Sequence, residues 1–551
     1  MDLRIPKIAL VTLLAVAMAS LSFGQRTDAT FAGVVTDPSG AVLPGAEIQL
    51  INEGTAAAMQ QVTRETGEFV FNFVPVGTYT LKIAMPGFRS YESRGIPLSG
   101  AQNVRRTYAL EVGAITDSVT VTGEAPLVNT LSPEQRMSLE TIEVKNLPMI
   151  NRNITNIMDV GSGLTRGEPN TVGMAGTRFR LNGLGGSAMS VTANGTDANG
   201  NAGSMVISGY GAYNKIEVMS AEAVAEVQIV KGVIPAEYGS AMAGTMSVIT
   251  KSGTNEWHGS VFHRYEGSVL SARQPFLRHE ANSVWNQFGG SLGAPILRDK
   301  LFFFVAYEGY RQRTTVALPN AASVPTQRFR DIMMTSLRFP ETKLFLDHLP
   351  LPNQPHPEDA LLGLWVGRTP KRNDDDHKDG RIDYMIGGGN LSVTYYGGHP
   401  YQEQALSQPL NPQTTYSFLR RMSSNYTLGR ANWTSQTRVG MNHSFVERID
   451  KIWFTKDPNK PESTPGGRLL PVIQYPGMTG FNRENRSTGP IPSWSFEQQF
   501  AMFRGTHSWK FGGIFALPRG GTTGHHGPAS QLPDAAGRDA QRAVLDVLRG
   551  Q

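Results

Sequence analysis

The stretch AEYGSAMAGTMSVITKSGTNEWHGS, residues 236–260, packs glycine, serine and threonine around one short β-like run, Met246 to Thr250. It holds no cysteine, no run of like charge and no catalytic trio. The whole chain shares its character. With only 18% charged residues, 59 glycines and 34 prolines, the composition favours turns and strands over helical bundles and predicts a mainly β protein. At 551 residues the chain has room for several domains.

A net charge of +5 does not make a nucleic-acid binder, because lysines and arginines stand singly or in pairs such as Arg105-Arg106 rather than clustered on one face. The lack of cysteine excludes disulfides, thiolate metal sites and cysteine nucleophiles. Residues 1–24 read as a secretory signal peptide. Arg4 and Lys7 precede an apolar run from Ile8 to Leu21, and Ser22-Phe23-Gly24 supplies small residues for cleavage before Gln25. That run is shorter than the ~20 residues of a membrane span, and an uncleaved anchor is the alternative. No later segment is long and apolar enough to span as a helix, so a membrane form would have to cross as a closed barrel.

Residues 26–113 read as a β-sandwich. Alternating runs at Ala46 to Ile51, Glu68 to Phe73 and Thr78 to Ala84 are separated by the turn clusters Asp37-Pro38-Ser39-Gly40, Thr66-Gly67 and Pro75-Val76-Gly77. The stretch from Gly33 to Arg89 resembles the carboxypeptidase regulatory-like family, which implies a transthyretin-like sandwich serving as an accessory module without peptidase activity. Residues 114–140 read as a linker carrying Asp117, Ser118, Val119, Thr120, Val121 and Thr122. These six either form the sandwich's last strand or, by resemblance to a TonB box, the extended segment that an inner-membrane energy-coupling protein grips by strand addition.

Three further stretches, NLPMINRNITNIMDVGSGL (146–164), RFRLNGLGGSAMSVTANGTDAN (178–199) and the run from Val224 to Ser260, resemble in order the plug domain of TonB-dependent outer-membrane receptors. The similarity is greatest to the Oar-like subgroup, whose members carry the same N-terminal sandwich. The resemblance implies a small α/β plug over residues 141–254, folded inside a barrel, with motif positions Asn182, Gly183, Asn194, Gly195, Glu237, Tyr238, Gly239, Lys251, Ser252 and Gly253. Lys251 to Asn255 would cross from plug to barrel. Where the family usually has Asp-Gly this chain has Asn194-Gly195, and either pair suits a tight turn with positive φ. The small polar residues of the opening stretch then fit a chain lying against the wall of a polar lumen.

Residues 255–520 read as a partial antiparallel transmembrane β-barrel. Trp509, Phe511, Phe515 and Leu517 alternate with smaller or polar residues, and Phe496 to Phe503 and Ser508 to Leu517 hinge at Arg504-Gly505-Thr506-His507 as a hairpin. Val439, Met441 and Phe445 alternate in the same way, and the run from Asn286 to Arg313 resembles the family's second hairpin, with aromatics for the interfacial girdle. Thr314 to Arg381 reads as loop. At about 9 to 11 residues per strand, roughly half of the family's 22 strands remain. Residues 521–551 form an atypical tail of helical period without the family's terminal aromatic strand, so the chain reads as a C-terminally truncated or split relative.

Catalytic and metal patterns fail on context. Gly289 to Gly293 has the spacing of a nucleophile elbow but lacks the strand-turn-helix it needs. His263 and Glu266 have the spacing of a zinc pair, but residues three apart on a strand face opposite ways. Asp374 to Gly380 has the outline of a calcium loop, yet it places His377 at a ligand position and Ile386 where Glu belongs; it reads as a solvated turn between strands. No catalytic residue, metal or cofactor is expected. The expected function is that of a TonB-dependent receptor in the cell outer membrane, bathed in its lipid, binding a bulky nutrient (carbohydrate, peptide or chelate) and energised by a TonB-type protein. The alternative is a non-transporting remnant that binds carbohydrate or peptide at the surface or in the periplasm.

Overall fold

The structure is a computed structural model that describes residues 27–113, 118–122, 134–146, 161, 163–166, 179–182, 184, 189–198, 219–232, 243–270, 282–318, 320–336, 346, 349–405, 412–430, 432–450, 477–479, 486–504 and 507–518. The N-terminal unit is built from β1 (Ala29–Thr36), β2 (Glu47–Asn52), β3 (Ala58–Val62), β4 (Glu68–Val74), β5 (Gly77–Ala84), β6 (Ser90–Leu98) and β7 (Asn103–Ala109). Two sheets, ordered β4-β1-β7 and β3-β2-β5-β6, face each other. Phe31, Ile48, Leu50, Phe69, Phe71 and Leu81 fill the space between them, as the alternation of the strands requires. Asp37 closes the first turn by accepting from the Ser39 and Ala41 N–H groups, both at 2.9 Å. The Ser39 hydroxyl, and after it the Ala41 N–H, hold its carboxyl below the usual range.

The segment β8 (Ser118–Thr122) extends the second sheet, pairing in parallel with β6 from Ser90↔Ser118 to Arg94↔Thr122. After it come β9 (Glu134–Glu140), the short helix α1 (Thr141–Asn146), β10 (Leu164–Arg166), β11 (Phe179–Leu181), β12 (Met189–Ala193), β13 (Thr196–Asp197), β14 (Val224–Gly232) and β15 (Gly244–Thr250). Five of these form one sheet ordered β13-β12-β15-β14-β9. All seven residues of β15 are buried, so the short run of the opening stretch is the spine of this unit. Glu134–Glu140, assigned to the linker on sequence, is the edge strand of this sheet, held to β14 by a continuous ladder from Glu140↔Glu226 to Glu134↔Gly232.

The remaining strands are β16 (His258–Gly267), β17 (Ser283–Leu297), β18 (Leu301–Ala317), β19 (Ala322–Pro325), β20 (Gln354–Pro355), β21 (Leu362–Trp365), β22 (Arg368–Ile386), β23 (Gly389–Gly398), β24 (Tyr401–Ala405), β25 (Pro412–Arg430), β26 (Trp433–Asp450), β27 (Arg486–Arg504) and β28 (His507–Pro518). All but β19 to β21 join one antiparallel wall, ordered β16-β17-β18-β22-β23-β25-β26-β27-β28, with β24 continuing β23 beside β22 and β25. Turns at 298–300 and 387–388 lie at one end, where β25 and β26 and likewise β27 and β28 follow each other within two residues, while at the other end β16 and β17, β18 and β22, and β26 and β27 are separated by long stretches of chain. In outer-membrane barrels the short turns face the periplasm. The sandwich sits at that end: the Asn255 N–H donates to Gly54 O at 2.9 Å, and the Asn255 amide donates to Asp299 in the first short turn at 2.8 Å.

The two faces of the wall are inverted relative to a water-soluble protein. Val305, Ile382, Met422, Trp494 and Phe496 project outward and are 41–48% exposed, except that Tyr384 and Val393 on the same face are 37% exposed. Glu308, Asp383, Arg421, Arg438, Gln436 and Glu497 project inward and are buried. Apolar surface on this scale outside and charge inside suit a lipid-facing wall around a polar lumen.

Two expectations are corrected. Thr314 to Arg381 is not one loop: β18 runs on to Ala317 and β22 begins at Arg368, and their ladder pairs every residue from Leu301↔Tyr384 to Ala317↔Arg368. The connection between them has its own small sheet, β19-β21-β20, and the helix α2 (Gln327–Ser336). Asp374 to Gly380 is accordingly no turn but the middle of β22. Its outward carboxylates are neutralised by arginines of the wall, Asp376 by Arg311 and Asp374 by Arg313 and Arg372. Of its inward ones, Asp379 accepts from the Ser220 N–H of the plug at 3.1 Å and Asp375 pairs with His377 of the same strand at 2.9 Å.

Gly253, where the plug hands over to the wall, has no room for a side chain, since a Cβ would lie 2.3 Å from Phe303 O and 2.8 Å from Ala294 O. Gly380, on the outer face, meets nothing within 4 Å. Gly253→Val should therefore destabilise the membrane-embedded chain by about 1–3 kcal/mol, read as a lower unfolding temperature in detergent, while Gly380→Val leaves that temperature unchanged. Equal effects would contradict the placement of Gly253 against the wall backbone.

Candidate functional site

The site is the seam between plug and wall. At its centre is the turn joining β12 to β13, where Asn194 (φ 49°) and Gly195 (φ 76°) take the positive-φ conformation expected of them. The Asn194 side chain accepts from the Thr250 N–H at 3.0 Å and its hydroxyl at 3.1 Å, tying the turn to the end of β15. Gly195 lies flat against a wall arginine; a Cβ there would be 2.6 Å from the Arg438 guanidinium carbon.

Two fully buried arginines of the wall grip this region. Arg421 on β25 donates to Thr196 O at 2.5 Å and Ala193 O at 3.2 Å, to Asp197 O, and to the wall's own Asn442 at 2.7 Å. Arg438 on β26 donates to Asp28 at 2.6 Å, Thr27 Oγ1 at 3.0 Å and Glu497 at 3.1 Å. Asp28 also accepts from Gln436 at 2.7 Å. Guanidinium is suited to this task because several donors in a fixed plane can satisfy turn carbonyls and carboxylates together. One residue of the wall thus touches both the plug turn and the lead-in to the sandwich.

A second set of contacts surrounds Lys251, Ser252 and Gly253. The Lys251 ammonium donates to Glu222 O at 2.7 Å, and the Ser252 hydroxyl donates to Asp383 at 2.6 Å. Arg381 clamps Asp383 through two bonds of 2.8 Å and reaches Thr250 O at 2.8 Å. Above them the Ser220 hydroxyl donates to Glu308 at 2.7 Å and its N–H to Asp379 at 3.1 Å, while Ser260 of the wall donates to Glu222 of the plug at 2.7 Å. The sandwich also docks on the plug: the Gly100 N–H donates to Glu226 at 3.0 Å, and Gln228 donates to Gly100 O.

Of the residues singled out on sequence, Asn194, Gly195, Lys251, Ser252 and Gly253 come together at this seam. Asn182 (φ 50°) lies in the turn after β11, against Gly163. Ser118, Val119, Thr120, Val121 and Thr122 lie apart from it as β8 on the sandwich. Asp117, Gly183, Glu237, Tyr238 and Gly239, the signal peptide and the tail fall outside the described residues. Sequence reasoning missed Arg421, Arg438, Glu308, Asp379 and Asp383. The available signal was a charged residue at inward parity in an alternating strand, where a lipid-facing wall leaves only the lumen for it.

Arg438→Met would leave Asp28 and Glu497 buried without their cation, which costs about 3–5 kcal/mol for a buried pair. The expected result is protease cleavage within residues 190–260 of the membrane-embedded chain under conditions where the unaltered chain resists. Adding Asp28→Asn and Glu497→Gln should restore much of the resistance, and unchanged cleavage in the single variant would contradict the anchoring role.

Comparison with known proteins agrees with this architecture. Residues 249–525 match the family described as outer membrane beta barrel domain, and residues 30–111 match the carboxypeptidase regulatory-like domain. The TonB-dependent transporter Oar of Myxococcus xanthus is 25% identical over 264 residues, 45% of this chain and 23% of that protein, so the match spans about a quarter of the relative's length. Among solved structures, the outer membrane transporter YddB from Escherichia coli has a TM-score of 0.48 at 11% identity, covering 69% of this chain and 48% of that one. The siderophore receptor PirA from Acinetobacter baumannii has a TM-score of 0.32 at 12% identity, covering 70% and 58%.

Proposed function

The chain belongs to the outer membrane β-barrel family, and from that membership we propose that it serves as an Oar-like outer-membrane receptor that admits a bulky nutrient when a TonB-type protein pulls on Asp117 to Thr122. The observation that carries this reading is the position of β8. It follows the sandwich, is held there by five backbone pairs with β6, and leads through residues 123–133 into β9, the edge strand of the plug sheet. A pull on β8 therefore acts next on an edge strand of the plug sheet, one with a single neighbour.

Parallel pairing is slightly weaker per residue than antiparallel, and β8 lies at the outer edge of its sheet, so a partner strand can take it from β6. Strand addition rests on backbone donors and tolerates side-chain change. The long connections at the other end, with the small β19-β21-β20 sheet, would meet the nutrient, a carbohydrate, peptide or chelate. No bond-making step is required.

Neighbouring residues of a strand donate to opposite edges, so Thr120→Pro with Val121→Pro removes donors on both. The full chain carrying this pair should bind the C-terminal domain of the host's TonB-type protein at least about tenfold more weakly, a loss of ~1.4 kcal/mol or one good hydrogen bond, by titration in detergent. Thr120→Val with Val121→Thr, which keeps the backbone donors, should bind as the unaltered chain does. Undiminished binding by the proline variant would rule out this segment as the grip.

A further inference from the structure

The outer face of the wall changes from apolar to charged along one row of paired residues. Lys378 on β22 pairs with Gly397 on β23, Gly397 with Arg420 on β25, and Arg420 with His443 on β26. The next outward row towards the short turns is Val305, Gly380, Tyr395, Met422 and Met441. On the far side of the Lys378 row every described outward carboxylate of β22 is already taken: Asp376 accepts two bonds from Arg311, at 2.8 and 3.1 Å, and Asp374 lies 2.5 Å from both Arg313 and Arg372. Lys378 and Arg420 are exposed and have no carboxylate partner among the described residues. Arg420 lies 3.9 Å over the Phe418 ring, a contact that fixes the guanidinium plane and leaves its N–H donors for another acceptor.

Tyr395 and Gly380 shape the surface beneath these cations. Gly397 separates Lys378 from Arg420, placing them two strand spacings, about 10 Å, apart, and is covered by the Tyr395 side chain, whose hydroxyl would lie 2.9 Å from a Cβ there. Gly380, diagonal to it, has open space where a side chain would project. A furrow therefore runs down the lipid side from the cations, between Val305 and Tyr395. A cationic rim over an apolar furrow, at the border of the hydrocarbon, matches a lipid with a phosphate headgroup: the phosphate would bridge Lys378 and Arg420, and one acyl chain would lie over Gly380.

We propose that Lys378, Arg420 and the furrow over Gly380, walled by Tyr395, form a binding site on the outer wall for a phosphorylated lipid of the outer leaflet. The test uses the full chain in nanodiscs, with bis-phosphorylated lipid A and its dephosphorylated form as probes, and native mass spectrometry or titration as the readout. Phosphorylated lipid should be retained in preference to the dephosphorylated one. Lys378→Gln with Arg420→Gln should weaken retention roughly thirtyfold, at about 1 kcal/mol per cation near a charged lipid surface, and the charge-conserving pair Lys378→Arg with Arg420→Lys should not. Gly380→Leu should weaken it with the charges intact, and millimolar inorganic phosphate should not displace the lipid. Equal retention of both lipids, or retention unaffected by the glutamine pair, would overturn the site. Dependence on the cations but not on Gly380, or displacement by inorganic phosphate, would reduce it to an anion contact and overturn its assignment to lipid.

Discussion

Hydrocarbon offers a backbone no hydrogen-bond partner, and the rest of this structure follows from that constraint. A strand surrounded by lipid needs partners on both edges, as β17 and β18 and the strands on to β27 have here, in ladders unbroken between β18 and β22 and between β25 and β26, while β16 and β28 each have one neighbour among the described residues. Where the outer face is apolar, from the row of Val305 and Met422 towards the short turns, charge at the same level faces the lumen. Glu308, Asp379, Asp383, Arg421 and Arg438 all point there and are buried. Burying such groups is costly unless each finds a partner, and the plug supplies many of those partners: the carbonyls of Ala193, Thr196 and Thr250, and the hydroxyls of Ser220 and Ser252. The plug fills the lumen, and it also completes the electrostatics of the wall.

The same arrangement separates what can move from what cannot. The ladder between β25 and β26 of the wall has 18 pairs, whereas those of the plug sheet have two to seven, and its edge strand β9 has one neighbour. Plug and wall are joined by side-chain bonds at a polar seam, which water entering the lumen can replace one at a time. Under the proposed pull on β8, force would meet these shorter ladders first. The sandwich, tied to the wall through Asp28 and to the plug through Gly100, stands where that pull would enter.

Much of this was legible from sequence because local signals and global fold agree. The sandwich declared itself through turn clusters and alternation, and the hairpin of β27 and β28 through Phe496, Trp509, Phe511 and Phe515. The seam was visible at Asn194, Gly195 and Lys251 to Gly253 through resemblance to a plug. What escaped has a physical reason. In β22 the outer carboxylates Asp374 and Asp376 are balanced by Arg311, Arg313 and Arg372, and the inner Asp375 and Asp379 face the lumen side, so both faces are polar and the period of two vanishes. Arg421 and Arg438 were unremarkable among serines and asparagines, since only strand parity tells that they point into the lumen. The pairing of β8 with β6 links segments distant in sequence through backbone bonds alone, and a five-residue β-prone run carries no mark of which partner it will choose.

The central claim is that the plug is the weaker body and that Ser118 to Thr122 is its handle. Because the chain lacks cysteine, a single Ser118→Cys provides a unique attachment for single-molecule force spectroscopy on the membrane-embedded protein. The account predicts that β8 leaves the sandwich first, β9 follows, and the plug strands extend while the wall strands β16 to β28 stay folded. Extraction of wall strands before or together with the plug would contradict it.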